Sequence, residues 1–216
     1  GLSRESDVAK TGVEYLFDGE LRGRERLIAA AFNDPLSRNG IVVYGAYLAG
    51  PHAFEKPLIV DLKEQKVPAW IRLYCLYPLN ARHVVVPLTW GEYWVGSYED
   101  KVPCKLSVYG NTTSPDPDAE GWEYLGSLNQ APERQAAAQR WSFLTTNLLL
   151  APKDVNDLET RDPIYVDIQF PPVNQTYRYL KILVHDTFDS SSENDINFNM
   201  EECFTLQELE VYVKKD

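Results

Sequence analysis

Residues Ile164–Phe170 read Ile-Tyr-Val-Asp-Ile-Gln-Phe, apolar at every second position, and Pro171-Pro172 stops the run. Alternation with a period of two turns one face of a strand toward a core and the other toward polar surroundings, and no helix shares that period. The pattern returns in Trp70–Leu76, where Ile71, Leu73 and Cys75 fall on one face and Arg72 and Tyr74 on the other, and in Lys105–Tyr109 ahead of a Gly110-Asn111 turn. Two more β-rich runs, Tyr177–Val184 and Thr205–Val213, close the chain around the polar stretch Asp186–Cys203. Shorter candidates are Val13–Gly19 with its Asp18-Gly19 turn, Ile41–Leu48, Pro57–Leu62 and Trp122–Gly126, with His83–Leu88 inside a long connection, Tyr77–Pro103. About eight to ten short strands that do not alternate with helices predict an all-β sandwich and exclude a parallel α/β fold. One α-helix is predicted, Pro132–Trp141, rich in Ala, Gln, Glu and Arg behind its leading Pro.

At 216 residues and 44% hydrophobic, the chain can bury a core without a metal or disulfide staple. Residues 1–12 are polar and charged, the expected leader or linker end, and 13–216 form one domain. Beginning at Gly1, the sequence is expected to be an excised domain or a mature extracellular, surface or periplasmic protein whose targeting segment has been removed. No run is apolar enough to insert in a membrane. The net charge of −11 opposes binding to nucleic acid and to anionic membranes, whose affinity comes from cationic side chains. The three cysteines, Cys75, Cys104 and Cys203, have no metal-ligand spacing and an odd count, which favours buried free thiols over a disulfide framework.

Catalysis needs a poised nucleophile, acid or base. The three histidines, His52, His83 and His185, fall in no triad or metal-ligand spacing, there is no Gly-rich phosphate loop, and nothing singles out a pair among the many carboxylates. The chain reads as a non-enzyme.

Three segments, in order, resemble the discoidin-like domain, also called the coagulation-factor type C or galactose-binding-like domain. Leu16-Phe17-Asp18-Gly19 is similar to that family's first Phe-Asp-Gly turn. Lys105–Asn111 followed by Trp122–Gly126 resembles its central strand, Tyr-Gly-Asn, loop and Trp-x-x-Leu-Gly pattern. Arg178–Ile182 with Glu208–Tyr212 resembles its closing strands. The resemblance spans residues 13–213, departing at Glu20–Phe32, which is charged and then apolar, and at the long Ser127–Pro163 connection. It is nearest to the variant discoidin domains of bacterial surface glycan-uptake proteins. It implies a jelly-roll β-sandwich with long loops that binds glycan through loops at one end.

Sugar binding needs aromatic platforms for C–H faces and fixed polar groups for hydroxyls. Tyr77–Tyr98 supplies both: Trp90, Tyr93, Trp94 and Tyr98 as platforms, Asn80, Arg82 and His83 as hydroxyl partners. The resemblance places Asp186–Cys203 at the same end, adding Phe188, Asp189 and Asn194, and brings Arg38 and His52 from the first connection. It also implies a structural calcium ion held by Asp18 and Glu208. Two other roles fit the same loops: docking of a protein partner or neighbouring domain, and service as an accessory domain of a larger glycoside hydrolase.

Overall fold

The computed structural model describes residues 13–19, 21, 47–49, 52–75, 81–86, 91–96, 102–130, 140–142, 162–188 and 203–215. Eleven strands run through them: β1 Tyr47–Ala49, β2 Leu58–Lys66, β3 Pro68–Cys75, β4 Ala81–Val86, β5 Gly91–Gly96, β6 Pro103–Asn111, β7 Glu123–Asn129, β8 Ile164–Gln169, β9 Tyr177–Thr187, β10 Phe204–Leu206 and β11 Glu208–Val213. Every pairing is antiparallel. A four-stranded sheet has the order β2-β9-β6-β7 and a three-stranded sheet the order β11-β3-β8. β1 pairs with β10, and β4 with β5.

The two larger sheets enclose one core. Leu106, Val108, Leu180, Ile182 and Val184 come to it from the four-stranded sheet, and Ile71, Leu73, Ile168 and Leu209 from the three-stranded one. All are buried, and each sits at the alternate positions that the period-two pattern assigns to an inner face. The molecule is therefore the all-β sandwich that the sequence predicts. Gly110 is needed where β6 crosses Tyr177: a Cβ there would lie 2.5 Å from the Tyr177 ring. Cys75, Cys104 and Cys203 are free and buried, as expected.

The structure corrects the sequence reading at several elements. Val13–Gly19 is not a strand: Val13–Leu16 forms a 3₁₀ turn. Only Leu16 of this segment is fully buried, while Val13 and Phe17 are exposed, so a turn that plants one side chain in the core replaces an alternating face. The connection Tyr77–Pro103 contains a hairpin, β4–β5, in place of one short strand. The closing run Thr205–Val213 is two strands. Between them the Gln207 N–H donates to the Tyr74 carbonyl at 2.9 Å, and the chain passes from pairing with β1 to pairing with β3. β9 extends to Thr187, past the predicted Val184. Most of the predicted helix Pro132–Trp141 lies outside the described residues. Among those described, helix is confined to two 3₁₀ turns, Val13–Leu16 and Ala53–Glu55.

Loop 112–122 is built around a buried Asn111. Its Oδ1 accepts the N–H groups of Thr113 (2.9 Å) and Ser114 (3.0 Å), and its Nδ2 donates to the Glu120 carbonyl at 3.0 Å. Asparagine suits this position because its amide imitates a backbone turn. The result fixes Trp122, whose indole N–H donates to the Asp116 carbonyl at 2.9 Å.

Candidate functional site

The Phe17-Asp18-Gly19 turn meets the last strand. The Gly19 N–H donates to Glu208 Oε2 at 3.2 Å, across 189 residues of sequence. Gly19 has φ +79°, the left-handed region that glycine enters at no steric cost. Glu208 is only 3% exposed, although it begins an outer-facing row of β11. The turn and the closing strand are thus joined at a buried carboxylate, and Asp18, exposed, precedes Gly19 in the turn. A calcium ion takes about six to eight oxygens. Asp18 and Glu208 supply carboxylate oxygens of the right hardness, but no group of three or more His, Cys, Asp or Glu gathers as a metal cage among the described residues. The fit is partial.

The β4–β5 ribbon carries four of the predicted sugar-contacting positions. Its register sets His83 directly opposite Trp94 and Val84 opposite Tyr93, with Arg82 opposite Val95. Directly opposed positions in an antiparallel pair lie roughly 4.5–5.5 Å apart at Cβ. Positions 83 and 94 therefore share one face of the ribbon, and 82 and 93 the other. Asn80, Trp90, Tyr98, Arg38, Asp189 and Asn194 lie outside the described residues.

His52 and Phe188 take different roles. His52 is exposed and adopts φ 61°, an uncommon left-handed backbone for a residue with a Cβ, at the start of the Ala53–Glu55 turn. Phe188, expected as a loop platform, is corrected to a packing residue. It is 4% exposed, its N–H donates to the Val102 carbonyl at 3.2 Å, and the Arg140 guanidinium lies 5.0 Å from its ring centroid. The physical reason is that β9 extends beyond its predicted end and carries Phe188 to a backbone bond with Val102, just ahead of β6.

Sequence reasoning missed the outer face of the three-stranded sheet. Arg72 on β3 forms a two-pronged pair with Asp167 on β8, at 2.6 and 2.8 Å. Its guanidinium also lies 3.8 Å from the Tyr165 ring centroid. The Tyr74 and Tyr212 hydroxyls both donate to Glu210 Oε2 at 2.6 Å, and Trp70 stacks on Tyr212 at 4.5 Å. Burial, followed by the hydrogen bond to Glu210, pushes the Tyr74 phenol well above its ordinary pKa. Tyr74 is nearly fully buried, which corrects the expectation of a solvated face at that position. This network satisfies its own charges and reads as cross-strand cement. The available signal was four aromatics at the polar positions of otherwise alternating strands. Burial also pushes the Cys75 thiol far above its ordinary range, which keeps it protonated and unsuited to nucleophilic work.

No protein-family model matches the chain, and no curated protein matches it. Among solved structures, it is similar to a SusE-like protein, with 12% identity and a TM-score of 0.45. The match covers 87% of this chain but 57% of that one, so the chain spans little more than half the length of the SusE-like protein. A CBM32 module from a family 31 glycoside hydrolase of Clostridium perfringens matches at 13% identity and a TM-score of 0.39, over 94% of this chain and 92% of the module. The C-terminal domain of a chitobiase from Bacteroides fragilis matches at 12% identity and a TM-score of 0.32, over 86% of this chain and 80% of that domain. No described helix is long and apolar enough to cross a membrane.

Proposed function

We propose that this chain is a discoidin-like, non-catalytic carbohydrate-binding module of a secreted or cell-surface protein. It binds glycan through a site that includes the β4–β5 ribbon. The observation that carries this reading is the ribbon's register, which sets a histidine position directly across from a tryptophan position. A ring platform beside a hydrogen-bonding imidazole is the pairing that a pyranose uses, with C–H groups on one face and hydroxyls at its edge. The bond from Gly19 to Glu208 adds support, since it ties together the first and the last of the three segments on which the family resemblance rests. A structural calcium ion with Asp18 and Glu208 among its donors completes the proposal.

A glycan microarray tests it. Wild-type protein should bind one or more glycans, and Trp94→Ala and His83→Ala should each weaken that binding about tenfold, the equivalent of one lost stacking or hydrogen-bonding contact. A blank array with and without calcium overturns the reading. The calcium component is separable: a ligand of the native state raises the thermal midpoint. Added calcium should do so, and Glu208→Gln should abolish the shift. An unchanged midpoint on adding calcium to chelator-treated protein removes the ion from the account.

A further inference from the structure

We infer that the outer face of β9, β6 and β7 is a second binding surface, separate from the β4–β5 ribbon, and that its ligand is an anionic carbohydrate chain. The inference takes carbohydrate as the ligand class from the proposed function and adds a site and a charge to it.

Leu106 and Val108 of β6, and Leu180, Ile182 and Val184 of β9, all point into the core. Their alternates must face outward. On β6 these are Lys105, Ser107 and Tyr109, and on β9 they are Lys181, Leu183 and His185. On β7 the outward positions paired to them are Tyr124, Ser127 and Asn129. The whole chain has 32 acidic against 21 basic residues, whereas these positions, counted with Asp186, which the register pairs to Lys105, hold two lysines and one carboxylate, a net +1. The charge of the face is opposite to that of the molecule, which attracts an anionic ligand locally.

The polar and aromatic groups on this face are fixed before any ligand arrives. The Lys181 ammonium donates to the Pro117 carbonyl at 2.9 Å and lies 4.6 Å from the Trp122 ring and 5.3 Å from the Tyr109 ring. Two of its three donors remain for other partners. Tyr109 and Tyr124 meet edge to face at 5.8 Å, and Tyr124 is 58% exposed. In the middle of the face the Tyr124 hydroxyl donates to Ser127 Oγ at 2.9 Å, and Ser107 Oγ lies 2.9 Å from His185 Nε2. Lys105 stands exposed at the far end. From Lys105 to the Tyr109–Lys181 row is four residues of strand, about 14 Å at the usual rise. Two cations so far apart, with hydroxyls between them and rings at one end, suit an extended polymer better than a single small anion. Rings stack on sugar C–H faces, hydroxyls and imidazole meet sugar hydroxyls, and the lysines meet carboxylates or sulfates.

The test titrates ¹⁵N-labelled full chain with chondroitin sulfate oligosaccharides, with oligogalacturonate, with neutral dextran oligosaccharides and with duplex DNA. Amide shifts should cluster at 105–109, 124–129 and 181–185 with one or both acidic sugars, and the preference between them tells sulfate from carboxylate. Lys105→Glu and Tyr124→Ala, both at exposed positions, should each weaken that binding about tenfold. Equal shifts with duplex DNA would show a general polyanion surface and overturn the inference. So would shifts confined to 81–96, no shift with either acidic sugar, or affinity unchanged in both variants. Shifts at 81–96 with a neutral sugar report separately on the proposed function, so the two readings can fail independently.

Discussion

Tyr177 links packing to ionisation in one side chain. Its ring lies against Gly110, and its hydroxyl donates to Glu123 Oε2 at 2.6 Å. Gly110→Ala forces a methyl group into that ring and should cost about 1–3 kcal/mol, read as a lowered midpoint in urea. Burial, with the bond to the Glu123 carboxylate behind it, pushes the Tyr177 phenol up from 10.0 to about 12. A phenol whose pKa rises on folding is protonated in the native state over a range where the unfolded chain has lost its proton. Its stabilisation is complete below pH 10 and is lost as pH rises from about 10 to about 12. Denaturation of wild type and Tyr177→Phe across that range should show a shallower decline in the variant. The opposite sign holds for Asp61, whose carboxyl the Arg178 guanidinium holds below its ordinary range. That contribution is present at neutral pH and fades as pH falls below about 4.

The strands were legible to the extent that their alternation was unbroken. β3, β6 and β8 announce themselves because one face is wholly apolar and the core takes that face. β4 is placed only approximately, as His83–Leu88, because Val84-Val85-Val86 is apolar at successive positions and gives no phase. The break between β10 and β11 left a trace that was readable but unread. Core leucines at 206 and 209 are three apart, so the apolar phase slips by one, and the chain must change pairing at Gln207. The same slip between Leu125 and Leu128 marks the irregular register of β7 against β6. At the candidate site, the ribbon positions could be named from composition, but their pairing across β4–β5 depends on a register that no local pattern fixes. Phe188 shows the converse, an aromatic in a polar stretch that the core claims. Between elements, Arg72 and Asp167 should couple across β3 and β8 by about 1 kcal/mol in a double-mutant cycle of Arg72→Met and Asp167→Asn. The value is modest because their side chains are 22% and 27% exposed.

At the scale of the whole molecule, two sheets share one core, so removing core volume from either should loosen both. Leu180→Ala in the four-stranded sheet and Leu73→Ala in the three-stranded sheet should each cost about 2–5 kcal/mol. Far-ultraviolet dichroism and tryptophan fluorescence should report the same transition, whereas separate transitions would show that the sheets fold independently. The central claim is that this scaffold holds out a carbohydrate site on the β4–β5 ribbon. Amide shift mapping with a panel of neutral oligosaccharides tests it most directly. The account predicts that at least one sugar moves the amides of 81–86 and 91–96 together, in a saturable way that Trp94→Ala suppresses. A panel that leaves those amides unmoved at millimolar sugar would contradict it.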